Sequence, residues 1–105
     1  MSNGVSSGVF PSSSQAVSEW IAVKLTASGN IFVNQKQMSL VEFSAECKRL
    51  AQIGGAAVLY MEFPANHTAN PTQMNAYSNL VSNHVPMKLV QTEHKLYEMQ
   101  NESVK

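Results

Sequence analysis

Between residues 20 and 25 apolar and polar positions alternate, with Ile21, Val23 and Leu25 on one side and Trp20, Ala22 and Lys24 on the other. Alternation of that period predicts a half-buried strand in "WIAVKLT". A second, shorter apolar run, "NIFV", follows after "ASGN", whose Gly and Asn tolerate the positive φ of a tight hairpin. A two-residue loop, either Ser28-Gly29 or Gly29-Asn30, would turn Phe32 to the Leu25 face. A three-residue loop would turn Ile31 and Val33 there instead, and the sequence leaves both registers open.

The spacing then changes to threes and fours. Leu40, Phe43, Cys47 and Leu50 form one stripe of a helix predicted over about 40–52. Ser39 and Glu42 have the spacing of a capping box, and Gly54-Gly55 stops the helix. "AAVLYMEF" is apolar on both faces until Glu62, as a covered central strand would be. Asn70 and Pro71 are an N-cap and first-turn pair opening a second helix, with Met74, Tyr77, Leu80, Val81 and His84 near one side. Pro86 bars its continuation, and "MKLVQ" reads as the last strand. A strand, helix and strand joined this tightly predict parallel strands with a right-handed crossover. The fold class expected is therefore α/β, an α+β two-layer sandwich. Its elements run ββαβαβ, with a small mixed sheet and two helices packed on one face.

The flanks differ in composition. Residues 1–18 hold seven serines, two glycines and a proline without a charge, the make-up of a flexible arm that Phe10 could anchor. Residues 93–105 are polar and charged, with Leu96 and Met99 as a weak stripe, and read as a frayed helix or tail. A single domain over 19–92 remains. No apolar run approaches the ~20 residues of a membrane span, and no Lys or Arg before Lys24 makes a signal-peptide n-region.

Charge narrows the chemistry. Seven basic residues balance seven acidic ones, so no net field draws the chain to nucleic acid or an anionic membrane. All the acidic residues are glutamates, which removes aspartate-based triads, Walker-B magnesium sites and EF-hand loops. Cys47 is the lone cysteine, lies on the helix stripe, and reads as a buried thiol rather than a nucleophile. His67, His84 and His94 lack the i, i+4 spacing of a helical zinc site, so no metal and no cofactor are expected. Glu62 at a strand end with His67 in the following loop is the one candidate ligand site, because open α/β sheets bind ligands there. If both helices cover one face, Trp20, Ala22 and Lys24 lie on the open one. With Met87, Lys88 and Leu89 on the last strand they form the candidate interaction surface.

The stretch "VKLTASGNIFVNQKQMSLVEFSAECKRL" resembles the start of the periplasmic domain of the ExbD/TolR family, where strand, Gly-bearing turn, apolar strand ending in Asn, polar gap and helix recur in that order. "AAVLYMEF", "NPTQMNAYSNLVSNH" and "VPMKLV" are similar to its central strand, second helix and following strand, so the resemblance spans about 22–92. It differs from the family in having no transmembrane helix and no Asp. Glu62-Phe63-Pro64 stand where an Asp is common, and His84-Val85-Pro86 where a Gly often precedes the last strand. What the resemblance implies is a non-enzymatic, dimer-prone scaffold domain that contacts protein partners, including cell-envelope components, in a transport-related setting. Placement would be periplasmic if a membrane anchor has been removed from the chain and cytoplasmic otherwise. The alternative expectation is a small-molecule-binding domain or enzyme using residues 62–70.

Overall fold

The computed structural model describes residues 17–63 and 68–103. Its elements are β1 (Trp20–Leu25), β2 (Ile31–Val33), β3 (Lys36–Met38), α1 (Leu40–Ile53), β4 (Ala56–Met61), α2 (Pro71–Ser82), β5 (Met87–Val90) and α3 (Glu93–Ser103). They form one mixed five-stranded sheet, ordered β3-β2-β1-β4-β5, with helices against it, so the expected α+β sandwich stands. β1, β4 and β5 are mutually parallel neighbours, while β2 and β3 are antiparallel.

The hairpin register follows the three-residue alternative. The Thr26 amide donates to the Asn30 carbonyl at 3.0 Å and Gly29, at φ 93°, closes the turn onto Thr26. Leu25 therefore pairs with Ile31, and Val23 with Val33, placing Ile31 and Val33 in the core. The polar gap after β2 contains a third strand. Asn34 and Gln35 both take positive φ, 52° and 72°, the conformation of a two-residue hairpin turn that pairs Val33 with Lys36. Asn34 carries its own support, because its Oδ1 accepts the Ala22 amide and its amide donates to the Ala22 carbonyl.

Helix α1 begins at the reciprocal Ser39–Glu42 capping box and ends on Gly54 in the left-handed conformation, φ 73°. Gly55 must also lack a side chain. A Cβ there would come within 2.5 Å of Leu50 Cδ2 and 3.2 Å of the Glu19 carbonyl oxygen. The α1 stripe Phe43, Cys47 and Leu50 is fully buried against Ile21, Val23, Leu25, Ala57 and Leu59. Ser18 ties the chain before β1 to the end of α1, its hydroxyl donating to the Ile53 carbonyl at 2.6 Å.

Two expectations are corrected. In α2 the buried side is Gln73, Ala76 and Leu80, whereas Met74, Tyr77 and Val81 are exposed. Gln73 sets that rotation, because its buried amide group bonds the ends of β1 and β4 and turns Met74 and Tyr77 outward. The second correction concerns the face of Trp20, Ala22 and Lys24, which is not open. Residues 93–103 form helix α3 across it, burying Leu96 completely against Ala22 and Val58, with Trp20, Tyr60, Val90, Tyr97 and Met99 around them. The sheet thus has helices on both faces, α1 and α2 on one and α3 on the other.

Candidate functional site

Strand β5 is an edge, and its backbone shows which groups face outward. The Ala57 amide donates to the Pro86 carbonyl at 2.9 Å, so Pro86, Lys88 and Val90 turn their backbone groups to β4. The amides and carbonyls of Met87 and Leu89 therefore point away from the sheet. The side chain of Leu89 lies on the α2 side at 68% exposure, because no element lies beyond β5 to cover it.

Beside Leu89 the misphased face of α2 makes a cleft. Leu59, Met61, Phe63, Tyr77, Leu89, Val90 and Gln91 line a hollow of about 360 Å³. Phe63 is 55% exposed, and Met74 and Val81 extend the apolar surface along α2. Exposed apolar surface of this kind, beside an open sheet edge, often marks an interaction site. The opposite edge is unlike it. β3 is only three residues long and presents Lys36 and Gln37 to solvent, the usual protection against edge pairing.

The residues expected to form one surface are divided by the sheet. Met87 and Leu89 face α2, with Met87 packed against the main core. Trp20, Ala22, Lys24 and Lys88 face α3. Lys88 Nζ sits 4.7 Å above the Trp20 ring, and Lys24 Nζ bonds Glu93 Oε2 at 2.9 Å while lying 5.7 Å from the Phe32 ring centroid. The Glu93 hydrogen bond raises the Lys24 pKa above its ordinary value. Phe63, Tyr77 and Val81 were missing from the expected surface. The Asn70-x-x-Gln73 spacing, a second capping box, is the signal that could have set the α2 phase.

At the C-terminal ends of β1 and β4, the position expected for a ligand, side chains already fill the space. Glu62 is exposed, and its Oε1 accepts the Ala27 amide at 2.9 Å. Gln73 Nε2 donates to the carbonyls of Leu25 at 3.2 Å, Thr26 at 3.1 Å and Glu62 at 2.6 Å, and Asn70 Nδ2 reaches the Ala27 carbonyl at 3.0 Å. His67 lies outside the described residues. Among the described residues no three His, Cys or Glu side chains are placed to hold a metal ion. No described helix is long and apolar enough to cross a membrane. Cys47 is buried, and burial pushes its thiol up to about 11, with Glu46 adding to the shift.

Comparison with known proteins found no matching family model, no matching curated protein and no matching solved structure.

Proposed function

We propose that this chain is a non-enzymatic protein-interaction domain of the ExbD/TolR periplasmic kind, which pairs with a second copy of itself through the β5 edge. The observation that carries the reading is the conjunction at β5 of outward backbone groups with the exposed Leu89 and the apolar cleft beside it. An edge strand supplies main-chain hydrogen bonds, and neighbouring pockets take alternate side chains. Two β5 strands meeting antiparallel about a two-fold axis would continue the sheet and place each Leu89 near its partner's cleft. The balanced charge of the chain sets up no repulsion between copies. Other protein partners, cell-envelope components among them, would use the same edge. A ligand at Glu62 has less support, because Gln73 fills the space between the strand ends and the Glu62 carboxylate already accepts the Ala27 amide.

Sedimentation equilibrium tests the pairing. The unmodified chain is expected to dimerise with rising concentration, and Leu89→Arg to remain monomeric with unchanged circular dichroism. A chain that stays monomeric at about 1 mM, a concentration far above the Kd of a specific interface, refutes this reading.

A further inference from the structure

The second face of the sheet suggests a separate device. We propose that this face is a receptor for an amphipathic, acid-bearing helix and that α3 is its resident, exchangeable occupant. Undocking α3 would bare Trp20, Ala22, Val58, Tyr60 and Val90, flanked by Lys24 and Lys88, while α1, α2 and the sheet stay folded.

The anchoring of the helices supports this division. α1 buries three side chains in the main core, and α2 buries Ala76 and Leu80 there and Gln73 at the strand ends, but among the described residues of α3 only Leu96 is buried completely. The α3 cluster shares no residue with the main core. Eleven residues make a helix too short to persist in water without packing, so α3 docks and folds as one event. Its polar ties to the sheet include one at each end. Glu93 bonds Lys24 at one end, and at the other Gln100 Nε2 donates to Asn34 Oδ1 at 2.7 Å and to the Trp20 carbonyl at 3.2 Å. Release of Gln100 leaves Asn34 bonded to Ala22, so the β1–β2–β3 hairpin loses nothing it depends on.

The same contacts define what else fits. A competing helix needs a carboxylate for Lys24, an apolar residue three positions later over Ala22 and Val58, and apolar neighbours for Trp20 and Tyr60. α3 supplies this pattern with Glu93, Leu96, Tyr97 and Met99. The proposal does not rest on dimerisation at β5, which uses the outward backbone of that strand and the cleft beside Leu89.

Hydrogen exchange of the full chain, followed by mass spectrometry or NMR, gives the first test. Amides of α3 should exchange at least about 100-fold faster than those of β4 through one shared opening that low urea accelerates. Equal protection in α3 and β4 overturns the proposal, and so does α3 exchange insensitive to urea, which is the mark of fraying. Leu96→Ala should lower α3 protection further with β4 unchanged; parallel loss in both makes α3 part of the global unit and overturns it. Trp20 is the sole tryptophan, so acrylamide quenching reads the face directly. In Leu96→Ala quenching should rise about twofold, and a peptide of residues 91–103 added at millimolar concentration should reverse the rise. A Trp20 that becomes no more accessible, or that the peptide fails to protect, overturns the receptor assignment.

Discussion

Replacing Gln73 with methionine keeps the side-chain length and removes every polar bond it makes. Gln73 is fully buried; its Nε2 joins α2 to the ends of two strands, and its Oε1 accepts the Asn70 amide at the N-cap of α2 itself. Its partners lose unequal amounts. The Leu25 carbonyl still accepts the Glu62 amide at 2.8 Å, and the Thr26 carbonyl still accepts the Gly29 amide at 3.1 Å. The Glu62 carbonyl and the Asn70 amide have Gln73 as their side-chain partner, so two groups carry the loss. An unsatisfied buried group costs about 1–3 kcal/mol, which gives roughly 2–6 kcal/mol for the pair. Glu62 is itself exposed, so water can reach its carbonyl, and the expected loss lies in the lower half at about 2–3 kcal/mol. With a urea slope of about 1 kcal/mol/M for a small domain, the midpoint falls by about 2–3 M. Urea titration followed by Trp20 fluorescence and far-ultraviolet circular dichroism measures it. A Gln73→Met midpoint within about 0.5 M of the parent would refute the assignment of strand-end closure to this side chain.

Two further outcomes follow from titrating and reactive groups. Lys24 is raised by Glu93, and Tyr97 is raised chiefly by burial and then by Glu93, so each holds its proton more tightly in the folded chain. Their contribution is fully present below the ordinary values of 10.5 and 10.0 and is lost as pH rises through the folded ones. Circular dichroism and Trp20 quenching from pH 9 to 12 should therefore show α3 released on the alkaline side; release that instead begins near pH 8 would contradict it. Cys47, buried and pushed up to about 11, should react with a disulfide reagent at pH 8 at least about 1,000-fold more slowly than in urea. Rapid native labelling would show that the α1 stripe is open.

Much of the architecture is legible in short-range pattern. The Ser39–Glu42 box, the Gly54 stop, the Asn70-Pro71 start and the alternation in β1 each rest on contacts a few residues apart, and each element lies where those signals place it. Strand β3 was hidden because "KQM" has no apolar period, and its pairing is enforced by the Asn34-Gln35 turn and the Val33–Lys36 register. The phase of α2 was hidden for another reason. Met74, Tyr77 and Val81 are as apolar as a core stripe, and hydrophobicity cannot register that a buried glutamine satisfies three carbonyls from distant strands.

The amino-acid sequence by itself determined the α/β class, the order of the principal elements, both helix starts and the structural place of Cys47, because caps, turns and side-chain periodicity act within a few residues. Only the tertiary structure decided which faces remain available. Leu96 docks onto Ala22 and Val58 across more than thirty residues of chain, closing the face that the β1 pattern left open. Gln73 reaches Leu25 across 48 residues and turns Tyr77 out to the cleft beside Leu89. Exposure is a property of what packs over a residue, and at both faces the packing partner comes from far along the chain.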